Sequence, residues 1–262
     1  MRIYLATKHQ KAPLIASELS CLNIEVIECS DFDTDALGTF TGDIERTLTP
    51  EKAALVKAQT ACELMNAEWG LGSEGSFGGG PYPGIMNWNE EILCLYHRTT
   101  KQTVYAKACG PSLIEAINAN SLIELERALT KHSKQYWMLA HRDCTYKGLS
   151  AEQVIDFCLQ NKMTFPLCLT PDLRAMHSPE RQMMIRKAAQ DLVLRMQSCC
   201  PKCNAMNYVI KKAEKGLPCR QCHLPTQRIK SYQKHCDECD WQEILFADNN
   251  QADPMYCQLC NP

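Results

Sequence analysis

The chain has 262 residues, a formal net charge of −2 and 45% hydrophobic residues, which suits one sizeable globular domain plus a smaller one. So neutral a balance excludes a global electrostatic pull toward nucleic acid or acidic membranes. No apolar run reaches the roughly eighteen residues of a membrane span, and the start Met1-Arg2-Ile3-Tyr4 is too soon polar for a secretory signal. Eight cysteines scattered before residue 198 make a reducing cytoplasm the expected location.

In chain order, Ile3–Ala6 reads as a buried strand, the segment up to Cys21 as a helix with Pro13 in its early turns, and Ile24–Ile27 as a second strand. Strand, helix, strand predicts an α/β fold with a mixed, partly parallel sheet and flanking helices. Residues 30–48 form a polar, acidic connection, long enough to suggest a functional loop. Thr49 caps a helix with Pro50 at its first position, running to about Glu68. From Gly70 to Gly84 seven of the twelve glycines fall in fifteen residues. This predicts a loop, with Leu71 ending a short strand at most.

Glu91–His97 and Thr103–Cys109 read as paired strands around the turn Arg98–Lys101. Ser112 is expected to cap a helix from Leu113, with Leu122–Leu129 as its continuation. Tyr136–Ala140 is a strand, and Ser150 with Gln153 has capping-box spacing. Thr170-Pro171-Asp172 marks a turn, and Pro179 opens a long helix ending near Met196. This places an α/β domain at 1–197 and a cysteine-rich domain at 198–262.

In an open α/β sheet, ligands sit beyond the carboxyl ends of the strands. Thr7, Lys8 and Lys11 follow strand one, where a hydroxyl and two lysines at a helix start suit a phosphate. Asp43, Glu45 and Glu74 are the carboxylates that suit magnesium, which prefers a few carboxylates plus phosphate oxygens. The plain alternative is that these lysines and the acidic loop are simply solvated. Arg174, His177 and Arg181 likewise are either solvated residues near a helix start or phosphate contacts. No Walker motif or dinucleotide fingerprint is present.

The order Ala6-Thr7-Lys8-His9, Asp33-Thr34-Asp35, Gly38-Thr39-Phe40-Thr41-Gly42, Glu45-Arg46, Lys57-Ala58, Ser73-Glu74-Gly75-Ser76-Phe77 and the closing Cys257-x-x-Cys260-Asn261-Pro262 resembles an uncharacterised bacterial domain of unknown function. That resemblance implies no activity. Leu5-Ala6-Thr7-Lys8-His9-Gln10-Lys11, Lys57-Ala58 and Gly72-Ser73-Glu74-Gly75 are more weakly similar to inosine and xanthosine triphosphate pyrophosphatases. His9 stands where those enzymes carry asparagine, and no clear closing S-H-R segment follows. This second resemblance implies a magnesium-dependent nucleotide hydrolase, with catalytic Glu45 and Glu74 binding magnesium and Thr7, Lys8 and Lys11 binding phosphates. The ligand would be a nucleotide or another phosphorylated small molecule.

The last sixty-four residues hold nine of the seventeen cysteines, eight of them in the pairs Cys200/Cys203, Cys219/Cys222, Cys236/Cys239 and Cys257/Cys260. By chance about one such C-x-x-C pair would be expected. The gaps of fifteen and seventeen residues inside the two halves fit four-thiolate zinc sites, so two structural zinc ions are expected in a zinc-ribbon-like domain. Neighbouring pairs sharing one ion is the simpler arrangement, and an interleaved one is the alternative. Cys199 could replace Cys200, and His223 or His235 could stand in as ligands. The lysines of the tail's first half, with Tyr208, Tyr232 and Trp241, raise a second function class, a module binding nucleic acid or a protein partner.

Overall fold

A computed structural model describes residues 1–7, 10–29, 48–81, 83–142 and 144–262. The chain divides into two compact units, Met1–Leu192 and Val193–Pro262. Among the described residues no helix is long and apolar enough to cross a membrane.

The first unit opens with β1 (Arg2–Ala6), α1 (Ala12–Leu19), β2 (Glu25–Cys29) and α2 (Pro50–Leu64). Then come β3 (Trp69–Phe77), β4 (Trp88–His97) and β5 (Thr103–Pro111). These strands form one sheet in the order β2-β1-β3-β4-β5. β1 runs parallel to β2 and β3, and β3-β4-β5 is antiparallel. The mixed, partly parallel sheet is therefore present, with helices against it.

The glycine-rich stretch departs from its reading as a loop. Gly70, Gly72 and Gly75 lie inside the nine-residue strand β3. Helix α2 presses on this strand with Ala53, Ala54, Ala58 and Ala61, all buried. A Cβ on Gly70 would sit 2.0 Å from the Ala58 carbonyl oxygen, and one on Gly72 1.8 Å from that of Ala54. These glycines therefore serve a close helix–strand approach and not a bend. Only from Gly78 onward do the glycines take positive φ angles.

A second sheet, in the order β6-β9-β7-β8, completes the unit. It comprises β6 (Ile117–Ala119), β7 (Trp137–His141), β8 (Cys144–Leu149) and β9 (Leu167–Pro171). Helices α3 (Leu122–Lys131) and α4 (Ala151–Gln160) supply Leu125, Leu129, Val154 and Cys158 to a core around Trp137 and Leu139. No helix begins at Leu113; Ser121, not Ser112, caps α3. Ser112 instead donates its hydroxyl to Glu180, which removes it as a cap. The Ser150–Gln153 capping box is present in full. Helix α5 (Pro179–Gln197) follows.

The second unit is built on an antiparallel meander of β10 (Val209–Lys215), β11 (Ile229–His235) and β12 (Gln242–Phe246). Replacing Gly72 by alanine would drive a methyl group into the α2 backbone. The expected cost is about 3 kcal/mol, read as a fall in the thermal midpoint of roughly 6–12 °C for a unit of this size.

Candidate functional site

The pleat of β3 sorts its side chains onto two faces. Gly70 and Gly72 look toward α2, and so does Glu74, whose Oε1 lies 2.5 Å from Lys57 Nζ of that helix. Ser73 and Gly75 look the other way. Residues directly opposite in an antiparallel ladder share a face, so Glu91, opposite Gly75, joins them. On that face Glu91 Oε1 accepts from Arg181 Nε of α5 at 2.5 Å, and Oε2 from Lys11 Nζ at 3.4 Å. Lys11 also donates to Ser73 Oγ at 2.9 Å. Glu91 is 0% exposed, Arg181 2% and Lys11 3%. A Cβ on Gly75 would meet both Glu91 and Arg181, so this glycine makes room for the ion pair.

The two halves belong to one electrostatic group. Burial pushes the Lys11 ammonium down to about 8, Glu91 opposes that shift, and Arg181 and then Lys57 reinforce it, with Glu74 also felt. The register explains the meeting point. β1 pairs with β3 only as far as Ala6–Gly72, so Ser73 and Glu74 lie just past the carboxyl end of β1, where Thr7 is also buried. Among the described residues the group has three cations and two carboxylates.

Of the residues expected at this site, Lys11 and Glu74 belong to this group, and Thr7 is buried just past β1. Lys8, Asp43 and Glu45 lie outside the described residues. Arg181 is not a solvated helix-start residue, because it is buried against Glu91. Sequence reasoning missed Glu91, although alternation along β4 sets it on the same face as the wholly buried Leu93 and Leu95. A carboxylate on such a face was the available signal. Glu74 and Glu91 are both clasped by cations of the chain, so the described residues alone do not make a magnesium site.

The cysteine pairs of the second unit interleave. Cys200, Cys203, Cys236 and Cys239 form one group, and Cys219, Cys222, Cys257 and Cys260 the other, with all ligand atoms in each within 4.8 Å. The simpler expectation, that neighbouring pairs share an ion, is corrected by the meander. Val209 pairs with His235, which brings the pair before β10 beside the pair after β11. Lys215 pairs with Ile229 at the other end, and a bridge from Cys219 to Ala252 draws in the chain after β12.

Each of the first three pairs folds as a knuckle. Cys200, Cys219 and Cys236 donate their backbone N–H to Ala205, Leu224 and Trp241, each five residues on. Their sulfurs accept from the N–H two residues on, at 3.4 Å in every case. The residue after the second cysteine, Asn204, His223 or Asp240, takes a positive φ, which asparagine and aspartate tolerate well. His223 is such a turn residue and stands outside both groups of ligand atoms. His235 faces Asp240 at 3.5 Å, and Cys199 lies outside both groups, near the Met196 carbonyl.

The geometry suits a single ion per group. A metal–sulfur bond of about 2.3 Å in a tetrahedron separates neighbouring sulfurs by roughly 3.8 Å. The sulfur pairs Cys200–Cys239, Cys203–Cys236, Cys222–Cys257 and Cys219–Cys260 lie at 3.6, 3.5, 3.5 and 3.9 Å. At Cys257 the N–H groups of Cys260 and Leu259 pull the thiol down to about 7. At Cys200 burial pushes upward, but the N–H groups of Cys203 and Lys202 and the neighbouring thiols outweigh it, again giving about 7. Partner thiols move the other way: Cys203 and Cys260 are raised to about 12, and Cys222 and Cys239 are raised as well, so without a cation each group holds its thiolate charge on one sulfur. Thiolates are the form a metal needs, and its charge would be required to deprotonate the rest.

Fold and sites define an α/β protein with a buried cationic group and a cysteine-rich unit able to hold two metal ions. A model for the family described as Domain of unknown function (DUF6671) matches residues 57–262, and the chain belongs to that family. No curated protein matches it.

Metal analysis of freshly purified full chain is expected to find two ions per molecule. Cys203→Ala and Cys222→Ala should each lower this to about one, and the double variant to about none, because each strikes a different group. If neighbouring pairs instead shared ions, both substitutions would fall in the same site and the double variant would keep one ion.

Proposed function

We propose that both cysteine groups hold zinc, and that the first unit binds the phosphate chain of a nucleotide and hydrolyses a phosphoanhydride bond. Four thiolates leave no open coordination position, so the zinc ions would be structural and their binding coupled to folding of the second unit.

Lys11 is the observation that carries the enzymatic part. It is a buried ammonium at the carboxyl end of a parallel strand, held by Ser73 and Glu91 and near the further cations Lys57 and Arg181. Phosphate oxygens entering there would meet Lys11 and be drawn by Lys57 and Arg181, while Glu91 fixes Lys11 and Arg181 in place. Binding would release Lys57 from Glu74 and leave a carboxylate beside the phosphates. Magnesium would arrive with the nucleotide and supply charge neutralisation.

Purified protein assayed with magnesium against nucleoside triphosphates, inosine triphosphate among them, is expected to release inorganic phosphate or pyrophosphate. Lys11→Met and Glu74→Gln should each lower kcat/KM by about 100-fold or more. Activity should decline as pH rises past about 8, since Lys11 then loses the charge that attracts phosphate. No turnover with any triphosphate, or full activity in both variants, would remove this reading.

A second reading, a binding module, is supported by the surface of the second unit. Trp241 is 45% exposed, Lys202 lies 6.0 Å from its ring centre, and Lys212 and Lys215 are exposed on β10. An exposed aromatic beside lysines suits a nucleic-acid strand. In that case the full chain should shift single-stranded RNA or DNA at low salt, and Trp241→Ala should weaken the shift about tenfold. Equal binding by the variant would count against it.

A further inference from the structure

Residues 172–178, between β9 and α5, form a turn fixed from several sides. Asp172 N–H donates to the Tyr136 carbonyl at 2.9 Å, and Tyr136 N–H to that of His177 at 3.2 Å. Gln135 Nε2 bonds the Tyr136 and Asp172 carbonyls. From α5, Arg181 and Gln182 donate to the carbonyls of Leu173 and Ala175. With its backbone so occupied, the turn is a rigid support.

The turn presents a guanidinium and an imidazole in front of a buried carboxylate. Asp172 is 0% exposed. It accepts Arg174 Nε at 3.0 Å and Nη2 at 2.5 Å, a fork that engages only one side of the guanidinium. His177 Nδ1 lies 3.6 Å from the same carboxylate, too far for a hydrogen bond, and it is a buried atom with no hydrogen-bond partner. The Arg174 side chain keeps 25% exposure and that of His177 18%, so both still reach solvent. Room for them comes from Gly148 of β8, where a Cβ would lie 2.5 Å from His177 Cε1 and 3.3 Å from Arg174 Nη2. The Tyr136 ring stands edge-on to His177 at 4.7 Å.

We propose that Arg174 and His177 form a binding site for a tetrahedral oxyanion, a phosphate group, with Asp172 as their positioning residue. Nη1 of Arg174 and Nε2 of His177 are the donors that meet it. The Asp172 charge is already answered by Arg174, so among the described residues at this turn an incoming anion meets no unpaired carboxylate. Its arrival supplies the counter-charge that a protonated His177 lacks.

Burial holds His177 below its ordinary range, Asp172 works against that, and Arg174 adds to it. The groups facing the ring are Asp172 and Arg174 from its own turn, Tyr136 ahead of β7, and the Gly148 backbone from β8. An anion seated against the ring would favour its charged form and reverse the downward shift. Affinity should therefore rise as pH falls through the histidine range. This site does not depend on the Lys11 group having a phosphate ligand.

The test is an NMR titration of the His177 ring in the full, metal-loaded chain, with inorganic phosphate compared with acetate and chloride at matched ionic strength. Phosphate is expected to move the His177 midpoint up by about one pH unit, and acetate and chloride to leave it in place. Arg174→Gln should abolish the phosphate shift, and Lys11→Met should keep it. The other histidine signals report whether each variant is folded. If Arg174→Gln does not fold, Arg174→Lys carries the test, with the shift at least halved because lysine cannot form the fork. No phosphate shift in the parent chain, an equal shift with acetate, or an undiminished shift in the folded Arg174 variant would overturn the proposal.

Discussion

A carboxylate with no water around it must be met by cations, and Glu91 is met by two. It ties α1, through Lys11, and α5, through Arg181, to one position on β4. On the other face of the sheet Glu74 ties α2 in the same way, through Lys57. Elements far apart in sequence thus share one charged centre at the edge left where β1 stops pairing with β3. Breaking either pair would strand a buried charge, which costs far more than an exposed ion pair is worth. Among the described residues, that centre holds Lys11, Lys57 and Arg181 against Glu74 and Glu91.

The second unit follows a different logic. Its meander offers little buried apolar surface; β10 is exposed along nearly all its length. Order there must come from the sulfur groups. An antiparallel meander returns the chain to alternate ends of the sheet, so knuckles one and three meet at one end and two and four at the other. Strand direction, and not proximity in sequence, decides which thiols are placed to share an ion.

Much of this was legible in the sequence. The thiol spacing announced metal-type knuckles directly, and β-branched runs and capping residues located β1, β2, α2 and α4. The glycine stretch misled, because glycine signals both a bend and a close approach, and only the alanine face of α2 distinguishes them. The strands β8 and β9 were hidden for another reason. β8 is largely exposed and lacks alternation, and β9 ends in Pro171, within the segment that read as a turn. At the site, Thr7, Lys11 and Glu74 could be named from their places after the first strand and in the glycine stretch. Glu91 could be found only by asking which face of an apolar strand it occupies, and Asp172 only from the packing of β9 against β7.

A buried ammonium kept for an anion is the role proposed for Lys11. Calorimetric titration of inorganic tripolyphosphate into the full chain near neutral pH, beside Lys11→Met, tests this most directly. Saturable binding in the parent, weakened at least about tenfold in the variant, is the predicted result. Absence of binding in the parent, or equal affinity in a folded Lys11→Met chain, would contradict it.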